Sequence, residues 1–307
     1  MADPDRDGGR IDRRPGIVRT VAGPRADRAL PATPAVAASP HPEAVMTSSP
    51  TKTRLARLWT DAGLPVLGGA LAIGLWWLTT ELFDISTFFL PAPPDVVDAF
   101  LRLPGYLLAE TWVTLLETVV GFGIAASAGL LVALLLAASR VVERMTMPLM
   151  AAVNAVPKVA LAPLLLVWMG FGPEPKIVMV ILVCFFPIVV ATMSGLTSTP
   201  SDLRELVHSL SASWWQTFVK VRLSWALPQI FVGLKVAISL AIIGAIIGEV
   251  VNPDRGLGAV IVNSGNSADT PLAFAALTLL ALMGALLFYL VVAVERLVVP
   301  WARAIAS

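Results

Sequence analysis

The chain has 307 residues, of which 57% are hydrophobic and 14% charged, with a formal net charge of +1. Together with a mean hydropathy of +0.80, this excludes an ordinary soluble domain, and no basic cluster with interleaved aromatics offers a footprint for nucleic acid. Cys184 is the only cysteine, which excludes an internal disulfide, and the two histidines, His41 and His208, are too few for a haem or metal-centred membrane enzyme.

Residues 1–50 are rich in Pro, Ala, Arg and Asp, lack an apolar period and are predicted to be disordered. They contain no hydrophobic core of a signal peptide, and Pro15 after the Arg13–Arg14 pair, with no apolar run beyond, argues against a twin-arginine signal. Met46 is a second candidate for the start, a choice that intact mass of the native protein decides. Over 51–307 the apolar runs at about 63–81, 112–137, 148–169, 177–196, 228–250 and 272–294 are each long enough to cross a bilayer. They predict an all-α polytopic membrane protein with six transmembrane helices.

Charge in the short loops orients it. With the N-terminus inside, the cytoplasmic segments hold ten cations: Lys52, Arg54, Arg57, Arg140, Arg144, Arg204, Lys220, Arg222, Arg296 and Arg303. The outer segments hold three, Arg102, Lys176 and Arg255. Both termini and the polar loop 197–227 are therefore expected in the cytoplasm.

Between the first two spans, Leu90-Pro91-Ala92-Pro93-Pro94 leads into Val96, Val97, Phe100, Leu101 and Leu103, predicting an amphipathic helix along the outer interface. In the third span Pro157 and Pro163 kink the helix, and Lys158 lies roughly 15 Å inside Pro148 at the helical rise. An intramembrane charge is a functional candidate by default; the competing readings are snorkelling, or a structural pair with Glu117 or Glu249. Glu117 and Glu249 themselves either line a pathway or face water. In the fifth span Lys235 is expected to snorkel, and the Gly244–Gly248 pair permits close helix approach, between subunits or within the chain. Residues 251–271 form a polar outer loop able to meet a partner.

The loop 197–227 carries helical signals. Thr199, Pro200 and Asp202 read as a capping arrangement, and Leu203, Leu206, Val207 and Leu210 form one apolar stripe. Trp214, Phe218 and Val221 form a second after Ser211, so a short amphipathic helix pair is expected, built to dock.

The stretch ELVHSLSASWWQTFVKVRLS, 205–224, resembles the EAA loop of ABC-importer permeases. Glu205 matches the acid, Leu206 and Val207 the two alanines, Val221 and Leu223 the apolar pair, while Ser211 stands for the usual glycine and Ser224 for the usual proline. PKVALAPLLLVWMGFG, 157–172, is similar to the same place in the nitrate, sulfonate, taurine and thiamine-precursor importers, and with Gly256-Leu257-Gly258 the resemblance covers roughly 60–300. This run and Thr114-Leu-Leu-Glu117 look more like the thiamine-precursor or vitamin branch. The resemblance implies a type I ABC-importer permease, working as a homodimer in the cytoplasmic membrane. Its implied partners are two cytoplasmic ABC ATPases, an external solute-binding protein and membrane lipid. It also implies that Leu203, Glu205, Leu206, Val207, Leu210, Ser211 and Trp214 form the ATPase-docking element.

The sequence holds no GxxxxGK[ST] phosphate loop and no Ser/His/Asp or Cys/His set, so catalysis, a metal site and a cofactor on this chain are not expected; ATP and Mg would sit on the ATPase. An ion-coupled secondary transporter would account for Glu117, Lys158 and Glu249, yet predicts paired broken helices in two repeats, and no second half matches the 148–169 prolines. A scaffold or receptor leaves the kinked span and the buried charges unexplained.

Overall fold

The computed structural model describes residues 63–137 and 140–301, within one compact unit spanning Arg57–Ser307. The expectations for residues 1–50 lie outside the described residues. Every regular element among the described residues is helical. In chain order these are α1 (Leu64–Leu82), α2 (Pro93–Arg102), α3 (Pro104–Ala137), α4 (Arg140–Asn154), a 3-10 turn (Lys158–Leu161), α5 (Ala162–Met169), α6 (Glu174–Thr197) and α7 (Ser201–Ser209). A long helix, α8 (Trp214–Val251), follows, then α9 (Leu257–Asn266) and α10 (Thr270–Val298).

The predicted count of six spans is not reproduced. Four helices, α3, α6, α8 and α10, are long and apolar enough to cross a bilayer by length and composition, and α4 with α5 makes a fifth if the bent pair is one span. The apolar part of α1, Val66–Leu82, is shorter than the roughly 20 residues a crossing needs. The third span is more than kinked: it breaks between Asn154 and Lys158 with a bend of 73°. Pro157 supplies no amide hydrogen to continue the ladder, and Pro163 opens α5, where a missing donor costs nothing.

The core is built on α6, which packs most heavily against α8 and next against α3. Small residues set the separations. A Cβ on Gly248 would stand 2.9 Å from Lys176 Cα, one on Gly244 2.9 Å from Val180 Cα, and one on Gly121 2.6 Å from Val180 Cβ. The Gly244–Gly248 pair therefore serves packing within the chain. Around these contacts Ala125, Val180, Cys184, Ile188, Ala237, Ala241 and Ala245 are buried together. A second cluster near the start of α8 gathers Ala133, Val189, Met193, Leu196, Phe218 and Ile230.

As expected, α2 is amphipathic: Val96 and Ala99 are buried, Asp98 and Arg102 exposed, and the Asp95 carboxylate accepts the Ala92 amide hydrogen. It lies against α10, where Arg102 pairs with Asp269 at 3.3 Å. Along α1, Leu71, Leu75, Leu78 and Leu82 are exposed, as are Leu282, Leu286 and Leu290 along α10; an apolar helix face of this kind suits contact with lipid.

Candidate functional site

Two polar constructions lie at opposite ends of α8. At its start is the segment 198–223. The expected capping by Thr199 does not form: Pro200, in extended backbone, is itself the cap residue, Asp202 accepts from the Ser201 hydroxyl, and Thr199 Oγ1 is buried without a partner among the described residues. α7 ends in a tight turn in which the Ser211 amide donates to His208 O (3.0 Å) and the Ala212 amide to Val207 O (3.2 Å), the paired bonds of a Schellman motif. Ser211 sits there with φ +52°, the left-handed region that glycine enters most easily. The next turn is capped reciprocally: Ser213 Oγ accepts the Gln216 amide (3.3 Å) and Gln216 Oε1 accepts the Ser213 amide (3.0 Å).

The second helix of the expected pair is not separate. Trp214–Gln216 passes through a wide π-helical stretch, Thr217–Leu223, directly into Ser224–Val251. Within the docking residues, Leu203 and Val207 are half-buried, whereas Glu205, Leu206, Leu210, Ser211 and Trp214 are exposed. Leu210 is 72% and Trp215 69% exposed, so the apolar stripe splits, half inward and half presented. Trp214 stacks on buried Phe218 with ring centroids 5.2 Å apart, and the Arg222 guanidinium lies 5.6 Å from the Phe218 ring centroid. Arg222 Nη2 also donates to Leu196 O (3.3 Å), tying this corner to the end of α6.

At the other end of α8 is a buried polar network. Glu249 accepts hydrogen bonds from Thr114 Oγ1 (2.7 Å) and the Gly258 amide (2.6 Å). Glu110 accepts from the Gly256 amide (2.6 Å) and Arg255 Nε (2.9 Å), and Thr114 Oγ1 accepts from the Leu257 amide (2.8 Å). Three successive amides opening α9, otherwise without helical partners, are thus capped by side chains of α3 and α8. Gly256 turns with φ +104°, and a Cβ there would collide with the Glu249 carboxylate. Lys176, 1% exposed, bonds Asp254 Oδ1 (2.6 Å) and Arg255 O (2.9 Å) and faces Glu117 Oε1 at 3.6 Å.

The three intramembrane charges singled out from sequence therefore part company. Glu117 and Glu249 belong to one network around Lys176, a residue read from sequence as a loop cation. Lys158 is elsewhere, donating to Asn154 Oδ1 at 2.6 Å. Lys235 pairs with Glu295 of α10 at 3.0 Å. A legible sign of the network was missed: Glu110, Thr114 and Glu117 fall at i, i+4 and i+7, a polar stripe on an apolar helix.

The family model for binding-protein-dependent transport system inner membrane components matches residues 125–304, from mid-α3 through the break, the 198–223 segment and α10. The chain belongs to this family, the permeases of ABC importers. Among its relatives, the riboflavin transport system permease protein RibX of Chloroflexus aurantiacus is 36% identical over 79% of this chain and 91% of its own. The putative aliphatic sulfonates transport permease protein SsuC of Escherichia coli is 32% identical over 75% and 88%. The formylaminopyrimidine transport permease protein ThiX of Halalkalibacterium halodurans is 30% identical over 78% and 96%. In fold the chain is similar to a structure of the MetNI methionine ABC transporter in inward-facing conformations, with a TM-score of 0.57 and 21% identity over 64% of this chain and 97% of that one.

Proposed function

We propose that this permease works as a homodimer in the cytoplasmic membrane, with both termini and the 198–223 segment inside, and that this segment docks a cytoplasmic ABC ATPase. The observation that carries the reading is the presented apolar surface of Leu206, Leu210, Trp214 and Trp215 beside the exposed carboxylate of Glu205, on backbone braced by two capped turns. Exposed large apolar groups of this kind, at a helix end set in a polar segment, suit a protein partner. Leu203, Val207 and Ser211 hold the shape; Glu205, Leu206, Leu210 and Trp214 make the contact.

ATP and Mg bind the two ATPase subunits, and a solute-binding protein delivers a small polar solute outside. That solute belongs to the nitrate, sulfonate and taurine or thiamine-precursor and vitamin classes, a reading supported by relatives named for riboflavin, aliphatic sulfonates and formylaminopyrimidine. Closure of the ATPases on ATP draws the two docking segments together and shifts the permease between inward- and outward-facing states. The partner shifts that equilibrium only by as much as it prefers one state over the other.

Affinity purification from native membranes in mild detergent, followed by mass spectrometry, tests the docking. The wild-type chain should bring down a P-loop ATPase, and Glu205→Lys should lose at least tenfold of it while remaining in the membrane. An equal yield of ATPase from both proteins removes Glu205 from the interface; no ATPase from either overturns the docking reading.

A further inference from the structure

Between α3, α8 and α10 runs a groove of about 250 Å³, smaller than the roughly 300–1,000 Å³ of small-molecule sites. Every residue lining it is apolar. Phe231 and Ile238 of α8 and Leu287 of α10 form its buried floor, and Val119 of α3 with Leu290 and Val294 of α10 its exposed rims. All three helices are long and apolar enough to cross a bilayer.

Charges beside the groove set its depth. Lys235 follows the lining residue Leu234, Glu295 follows Val294, and the two pair at 3.0 Å with side chains 24% and 21% exposed. A partly exposed ion pair on apolar helices suits the level of headgroups and water, and α10 ends three residues later, at Val298. α10 starts beside α9, at the far end of α8, so its last turn lies on the side of the 198–223 segment. From Val294 back to Leu287 the groove runs about 10 Å toward the bilayer centre at the helical rise. Arg296 is exposed at the same end and pairs with no carboxylate among the described residues.

We propose that this groove holds one acyl chain of a phospholipid from the leaflet on the side of the 198–223 segment, with Arg296 taking its acidic headgroup. An apolar channel that ends beside an unmatched guanidinium has the two-part chemistry of such an amphiphile. A helix of a second copy fits worse: one turn, about 10 Å across and 5.4 Å high, fills roughly 400 Å³, more than the groove holds, whereas a single hydrocarbon chain lies along it. Lipid tails are as apolar as the groove, so burial alone gives no preference. Packing in a fixed cleft and the charge at its end supply it.

The test counts lipid on the permease extracted from membranes in mild detergent and equilibrated with equal amounts of phosphatidylglycerol and phosphatidylcholine. Native mass spectrometry reads the phospholipid retained. Wild type should keep one per copy and favour phosphatidylglycerol about fivefold. Val119→Trp and Val291→Trp fill the groove from α3 and from α10, and each should lower retention about tenfold. Leu282→Trp, on the exposed face of α10 outside the groove, should leave it unchanged. Arg296→Gln should keep the chain and bind both lipids equally.

A filled variant counts when its melting temperature matches wild type, and one from either helix suffices. Unchanged retention in such a variant overturns the proposal, as does an equal loss in Leu282→Trp or an unchanged lipid preference in Arg296→Gln. Leu290→Cys on the rim, oxidised in native membranes, gives an independent reading: it should stay uncrosslinked, and a disulfide-linked dimer means that a second copy covers the groove and overturns the lipid site. The site depends on neither the ATPase nor the solute, so its failure leaves the docking reading untouched.

Discussion

Ser211 shows how one side chain can be tolerated rather than favoured. Its turn closes α7 with two backbone bonds, yet a β-carbon in the left-handed region costs about 1–2 kcal/mol. Ser211→Gly should therefore strengthen the turn, by about 1 kcal/mol, seen as slower hydrogen exchange at the amides of 207–212. Unchanged or faster exchange would mean that the serine hydroxyl supports the turn in some other way. Lys176 is the opposite case, a cation the fold depends on. Removing one partner of a buried ion pair leaves the other uncompensated at about 3–5 kcal/mol. Lys176→Met should lower the melting temperature in detergent clearly, and adding Glu117→Gln should recover part of the loss. No recovery would show that Asp254 and the Arg255 carbonyl, and not Glu117, are the partners that matter.

At the scale of elements, the glycines facing α6 from α3 and α8 decide how closely those helices meet. Gly248→Ala puts a methyl group against Lys176 backbone and should destabilise by about 1–3 kcal/mol through overpacking. Gly105→Ala, with nothing within 4 Å of the new carbon, should not; thermal unfolding of both separates close packing from a general intolerance of change.

Much of this layer was legible. The spans at 112–137, 177–196, 228–250 and 272–294 correspond to α3, α6, α8 and α10, because a run of apolar residues sustained for that long has few other uses. The prolines at 157 and 163 announced the break, though the size of the bend depends on what packs around it. Caps were less transparent. Thr199 looked like a capping residue, but Pro200 in extended backbone starts the helix one residue later, while the Ser213-x-x-Gln216 box was readable and overlooked. The network around Lys176 was half readable: the Glu110, Thr114, Glu117 stripe lies in the sequence, but its partners, Lys176 on α6 and Glu249 on α8, are fixed only by tertiary packing.

For the whole molecule, the direction of α8 makes orientation testable. The 198–223 segment and the loop after Val251 cap opposite ends of one helix, so they belong on opposite sides of the membrane. Pro253 and Ser211 are both exposed, and the native Cys184 is buried, which keeps the labelling background low. A membrane-impermeant maleimide should label Pro253→Cys in intact cells or spheroplasts, and Ser211→Cys only after permeabilisation. The reverse pattern would invert the topology inferred from the lysine and arginine bias.

The continuity of α8 has a mechanical consequence. From Trp214 to Val251 it runs 38 residues, about 57 Å at the helical rise, well beyond the roughly 30 Å hydrocarbon thickness of a bilayer. Such a helix is a lever. A tilt of about 10° about one end sweeps the other through roughly 10 Å at that length. Its near end carries the tryptophans, and its far end holds Glu249 and, through it, the opening turn of α9. The π-helical stretch at 217–223 is the wide, weakly bonded turn in this rod, and so the place where a push at the tip is either transmitted as rotation or absorbed as bending.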